Sequence, residues 1–252
     1  MLKLLKYDFR RNRDRILRVY AITLLVQVGL WIFADKTGIW ILGKETNGGM
    51  FIGNIFTYLV AGIILQSYNI RTYDHNLRSY HRRLLPVNPV LSVLSPLLLG
   101  WILLLGVVAM AELHLGLYIL FNSADFLPAN FWSVSTASLL QMVWVAGYLM
   151  ILLMLSITVA RSLRIKGQVW IGIAVFFIVE NGISYIEQQL FGKSFSALEN
   201  ALQFHMVDGK ITPDLYLTSG SIVNVGAVLF EVITAAVVLY IIVLLFKKRV
   251  ES

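Results

Sequence analysis

Long apolar runs, separated by short charged segments, set the pattern of this chain. Six stand out, near Ile16–Ala34, Phe51–Tyr68, Val90–Met110, Leu139–Ala160, Val169–Ile186 and Ile222–Phe246. Each is apolar all round. None shows the alternation of apolar and polar residues that a barrel strand needs over about 10 positions. A bilayer core about 30 Å thick takes about 20 apolar residues per crossing helix. Backbone in hydrocarbon must satisfy its hydrogen bonds internally, so the runs predict helices. The expected fold is all-α: a polytopic membrane protein with six transmembrane helices, residues 1–252 forming a single transmembrane domain.

Composition agrees with that reading. Hydrophobic residues make up 58% of the chain and charged residues 14%, against about 25% charged in a soluble domain. The mean hydropathy is +0.75. There is no cysteine, which excludes disulfides and thiolate chemistry. The net charge of +7 could suggest nucleic acid, but its distribution argues for a membrane. Of the 21 lysines and arginines, all but Lys36, Lys44, Lys193 and Lys210 fall before or, for Arg18, at the very start of the first run, between runs two and three, between runs four and five, or after the sixth. The positive-inside rule then places both termini in the cytoplasm. The expected location is a cell membrane, multi-pass, of the bacterial plasma-membrane kind. The long basic region, with no convincing small-residue cleavage site after the first run, predicts a retained span rather than a signal peptide.

The first eighteen residues have a periodicity of their own. Leu2, Leu5 and Phe9 recur at helical spacing, and Lys3, Lys6, Arg10 and Arg13 recur on another face. This predicts an amphipathic interfacial helix over residues 1–18, lying among lipid headgroups before the chain turns into the bilayer. The basic face meets anionic lipid, at roughly 1 kcal/mol per residue; it is either a topology signal alone or also a brace for a cytosolic partner. The short loop with Arg161, Arg164 and Lys166 reads as an inner-face anchor or a minor partner contact.

Motifs for intrinsic chemistry are missing. FGKS at 191–194 ends like a phosphate-binding loop, but Glu187 stands where the first glycine belongs. His75, His81, His114 and His205 do not cluster with acids at metal-ligand spacing. No GxSxG elbow occurs, and nothing resembles a nucleic-acid-binding module. The expectation is a protein that is not an enzyme, with no cofactor of its own and no nucleic-acid partner.

The segment between runs two and three contains HRRLLPVNPVLSVLSPLLLG, from His81 to Gly100. Pro86 and Pro89 cannot sit inside an ordinary helix, and the residue before a proline leaves helical geometry. A short helix near Asn76–Leu85 is expected, then a corner at PVN, then a third span starting near Pro89, where a first-turn proline is tolerated. Pro96 is expected to kink that span. Leu77, Leu84 and Leu85 face the membrane, while Arg78, His81 and Arg82 face down. With the basic N-terminal helix and six spans, the form "RRLLPVNP" resembles the ABC-2 type permease subunits of ABC transporters, particularly small bacterial exporters of peptides and antibiotics. The resemblance covers the whole chain in topology and about 25 residues in motif. Ser79, Tyr80 and His81 stand where that family often has an acidic residue and a glycine.

The resemblance implies that residues 71–88 form a coupling loop docking on a cytosolic ABC ATPase through Arg78, His81, Arg82, Arg83, Leu84, Leu85 and Pro86. It implies that ATP and Mg are bound by that partner, and that a second permease copy or a related permease completes the transporter. The implied function is efflux of a hydrophobic or amphipathic cargo such as a peptide toxin, an antimicrobial peptide or an antibiotic.

Acids in apolar runs are costly, about 2.5–3.5 kcal/mol on insertion scales. Glu180, with Asn181 after it, and Glu231 either line a substrate path or make interhelical hydrogen bonds with Asn181, Asn224 or Gln141. As an ion-coupling pair, Glu180 and Glu231 would instead point to a secondary transporter or channel. The run from Val90 to Phe121 would measure about 48 Å as one helix, so Glu112 and His114 are expected to mark the outer rim with a separate stub beyond. Residues 187–221 form an extracytoplasmic cap: a capping-box pattern at Ser196 and Glu199, then a hairpin around Asp208–Gly209.

Overall fold

The computed structural model describes residues 2–37, 48–78, 88–122, 131–163, 167–191, 203–207, 210–216 and 225–251. Six helices account for most of them: α1 (Leu2–Thr37), α2 (Gly48–Arg78), α3 (Pro89–Asn122), α4 (Phe131–Ser162), α5 (Gln168–Phe191) and α6 (Val225–Glu251). Between α5 and α6 lie two short strands, β1 (Gln203–Val207) and β2 (Lys210–Tyr216). They pair antiparallel, and the ladder closes at Val207 opposite Lys210, so two residues connect them. The hairpin expected around Asp208–Gly209 is therefore present. It is the only sheet among the described residues, a small departure from an all-α chain.

Five helices are long and apolar enough to cross a membrane, which makes this a multi-pass helical membrane protein by length and composition: α1, α3, α4, α5 and α6. The second expected span, Phe51–Tyr68, lies within α2 and carries no charged residue. Asn54, Thr57, Gln66, Ser67 and Asn69 lie among its aliphatic residues, and Gln66 and Asn69 are turned into the bundle. The Gln66 amide donates to the Gly100 carbonyl at 2.9 Å, and the Asn69 amide to the Pro96 carbonyl at 2.8 Å.

Three boundaries differ from the sequence expectation. The basic segment and the first span are one uninterrupted helix of 36 residues, with no turn between them. Of Leu2, Leu5 and Phe9 only Leu5 packs on the core; Leu2 and Phe9 are exposed. The buried stripe is Asp8, Asn12, Ile16, Val19, Thr23 and Gln27, at the three- and four-residue spacing that keeps side chains on one helix face. Likewise, no new helix begins at Asn76: residues 71–78 are the last two turns of α2. Finally, α3 runs unbroken for 34 residues through the buried Pro96 and past Glu112 and His114. No separate stub follows, because this stretch rests on α2: Tyr58 donates to the Met110 carbonyl at 3.5 Å, and its ring lies 6.2 Å from that of His114.

The start of α3 is as the prolines predict. Asn88 caps it, its Oδ1 accepting from the Val90 amide at 3.0 Å while its carbonyl accepts from Leu91. Pro89 follows at the first helical position, where its missing N–H costs nothing. Gly167, at φ 92°, supplies the left-handed turn that opens α5.

The helices alternate up and down. One apolar cluster joins α1, α2 and α3 through Ile16, Leu65, Leu99 and Leu103. A second joins α2, α3, α4 and α6 through Tyr73, Leu97, Met154 and Ile242. Glycines let the helices approach. A Cβ on Gly100 would lie 2.6 Å from Asn69 Nδ2, and one on Gly147 would lie 2.1 Å from the Trp101 indole nitrogen.

Candidate functional site

The densest polar structure sits where α2 ends. Between Thr72 and Arg78, successive side chains reach different helices. Asn12 Nδ2 of α1 donates to Thr72 Oγ1 at 2.8 Å and to the Asp8 carbonyl at 3.0 Å. The hydroxyls of Tyr73 and Thr158 of α4 share a 2.6 Å hydrogen bond. Burial of Tyr73 pushes its hydroxyl well above the ordinary phenol value, so it stays protonated and keeps that bond. Asn76 Nδ2 donates to Asp8 Oδ1 at 3.4 Å.

Asp8 is completely buried. Besides Asn76 it receives Ser95 Oγ of α3 at 3.0 Å. A buried carboxylate is tolerated only when such donors replace water. The carboxylate thus fastens α1 to both α2 and α3 at the basic end of the bundle.

Asp74 does the same for α4 and α5. Arg161 closes a two-pronged pair on it, Nε to Oδ1 at 2.7 Å and Nη2 to Oδ2 at 3.0 Å. Arg78, one turn on, adds Nη2 to Oδ2 at 2.8 Å. The remaining Arg161 nitrogen, Nη1, donates to Gln168 Oε1 at the start of α5. The guanidinium fork suits this task because its donors are coplanar and fixed. Arg161, expected in an inner-face loop, is thus part of α4 and ties helices together through Asp74; Arg164 and Lys166 lie outside the described residues.

Of the residues expected to contact a partner, Arg78 lies on this junction, exposed on its outer side. His81, Arg82, Arg83, Leu84, Leu85 and Pro86 lie outside the described residues, as do Ser196, Glu199 and Asn224. Lys3, Lys6, Arg10 and Arg13 are exposed along α1, on the side away from the Asp8–Asn12 stripe.

A second polar group lies toward the far end. It is about 25 Å from Arg161 along α4, counting from Trp144 at the helical rise. Trp144 Nε1 donates to Glu231 Oε2, and Glu231 is buried. Glu187 of α5, also buried, and the half-buried Glu180 both act electrostatically on the neighbouring Tyr148. Asn181 does not join them. It is exposed, and its carboxamide bonds back to the Phe177 carbonyl at 2.7 Å.

Sequence reasoning missed Asp8, Asn12, Asp74 and Glu187 as site residues. Two signals were available: Asp74 as the one acid between runs two and three, and the Asp8–Asn12–Ile16 spacing that sets one face apart from the arginines. Among the described residues no cluster of three metal-ligating side chains occurs. No family model, curated protein or solved structure matches the chain.

Proposed function

We propose that this chain is the transmembrane subunit of an ABC exporter. In this reading α2 also crosses the bilayer, both termini are cytoplasmic, and the basic face of α1 lies at the inner leaflet. The chain holds no nucleotide. A cytosolic ATPase subunit binds ATP and Mg, and a second permease copy or related permease completes the machine.

The observation that carries this reading is the junction at Thr72–Arg78. It lies within residues 71–88, the segment whose form resembles a coupling loop, and just before His81–Pro89. A push received there reaches α1 and α3 through Asp8, α4 through Tyr73 and Arg161, and α5 through Gln168. Discrete polar contacts of this kind allow helices to exchange between two packings rather than bend continuously. The cargo is hydrophobic or amphipathic, a peptide toxin, antimicrobial peptide or antibiotic, and the buried carboxylates of Glu231 and Glu187 suit a cationic group on it.

The test is biochemical. The tagged chain, solubilised from its native membrane, should bring down an ATP-hydrolysing subunit. Inside-out vesicles should accumulate a fluorescent cationic peptide only with ATP, and replacing Arg82 and Arg83 with Ala should abolish that uptake without altering insertion. A chain that purifies without an ATPase and transports on a proton or sodium gradient overturns the reading. Burial of two carboxylates on facing helices favours that second possibility, an ion-coupled transporter built on Glu180, Glu187 and Glu231. In that case Glu231→Gln abolishes gradient-driven uptake.

A further inference from the structure

α5 is unlike the other apolar helices. Glu187 is its one buried residue. One side rests on the core through Phe176, Val179 and Ile183. The opposite side is open over most of its length, with Trp170 76%, Phe177 55%, Ile178 71% and Tyr185 63% exposed. With the exposed Ala174 and Asn181 between them, Trp170, Ile178 and Tyr185 recur at spacings of three and four residues, which is the geometry of a helix–helix seam.

In the middle of that open side are Asn181 and Gly182. Asn181 lies about 20 Å from the start of α5 at the helical rise, well inside a core of about 30 Å. Its amide makes only the bond back to Phe177 within its own helix, which leaves carboxamide valences facing outward. A Cβ on Gly182 would meet nothing within 4 Å, so the helix has a flat place beside the amide. Among the described side chains, the exposed sides of α1 from Ala21 to Ile32 and of α6 before Lys247 carry only aliphatic and aromatic side chains and glycine. Those faces suit lipid. A carboxamide directed into hydrocarbon does not, since polar groups at that depth turn toward protein or water.

We propose that this side of α5 is where a second copy of the chain docks, the Asn181 carboxamides of the two copies hydrogen-bonding to each other across the flat surface at Gly182. A second copy fits better than a different partner because the patch is complementary to itself. A carboxamide is donor and acceptor at once, so a two-fold axis beside Asn181 satisfies both copies with one residue type. Small residues next to a polar one are the usual composition of such contacts within membranes. The proposal rests on the membrane-spanning reading of α5, and it requires neither ATP nor a motor subunit.

The absence of cysteine makes the test direct. Ile178→Cys and Tyr185→Cys, each introduced alone and oxidised in native membranes, should give a disulfide-linked dimer. Val237→Cys, exposed on α6, should give none. Adding Asn181→Leu, which removes only the bond back to the Phe177 carbonyl within α5, should weaken dimerisation of the Ile178→Cys chain about five- to thirty-fold, read from the dilution at which the dimer band is half lost. Gly182→Ile should act in the same direction by holding the helices apart. The proposal is overturned if the α5 positions crosslink no better than position 237, if they crosslink to a different protein, or if Asn181→Leu leaves the dimer unchanged. Failure here leaves copurification with an ATPase unaffected, so the two readings fall separately.

Discussion

Asp74 shows how much one side chain can organise. It accepts the Arg161 fork and the Arg78 guanidinium together, and its side chain is 24% exposed against 18% for Arg161. At that burial the pair is neither a screened surface contact nor a fully desolvated one. Removing Asp74 leaves two arginines facing each other beside Gln168, and removing Arg161 frees the start of α5. The two losses should not be independent. In a cycle of Asp74→Ala, Arg161→Ala and the double variant, unfolded in mixed micelles, a coupling of about 1–2 kcal/mol is expected. Arg161→Lys should recover only part of it, because an ammonium cannot hold both carboxylate oxygens and Gln168 at once. Strict additivity would show that Asp74 and Arg161 are neighbours without being partners.

At the scale of the helices, packing is set by glycines that face rigid groups. Gly147 lies under the Trp101 indole, whose Nε1 and Cε2 would stand 2.1 and 2.8 Å from an added Cβ. A fused ring has no flexible end to withdraw, so Gly147→Ala must move α4 away from α3. Overpacking of this kind costs about 1–3 kcal/mol. Gly62 is the internal control: its added Cβ would meet only Leu104 Cδ2, at 3.7 Å, an ordinary contact. Gly147→Ala should lower the thermal midpoint in detergent clearly, and Gly62→Ala should leave it nearly unchanged. This scale also shows what the sequence makes readable. The apolar runs locate the six helices because hydrocarbon demands length and apolarity, and Asn88–Pro89 locates the start of α3 because a proline fixes a helix beginning. The junction is less legible. Asp8, Asn12 and Asn76 look like solvated residues among arginines, since only the tertiary arrangement turns one narrow stripe of α1 inward. The unbroken α1 is hidden for a related reason: amphipathic spacing reports which faces differ, not whether a helix bends between its two halves.

For the whole molecule the decisive question is parity. With five crossings the two ends of the chain lie on opposite sides of the membrane; with six they lie on the same side. α2 decides, and its uncharged apolar run Phe51–Tyr68 argues for crossing. Gln66 and Asn69 lie at the end of that run, and their NH2 groups donate to α3 carbonyls inside the bundle, so these donors do not face lipid. The basic residues support the same choice: Arg71 and Arg78 at the end of α2, Arg161 at the end of α4 and Lys247 near the end of α6 all gather with the N-terminal arginines. Single cysteines again give the measurement, because the chain has none to remove. In sealed vesicles of known orientation, Lys3→Cys, Arg78→Cys and Lys247→Cys should react with a membrane-impermeant maleimide from one and the same side. Lys210→Cys, at the start of β2, should react only from the other. If Lys3→Cys and Lys247→Cys label from opposite sides, α2 does not cross. The exporter reading, which places both ends in the cytoplasm, then fails.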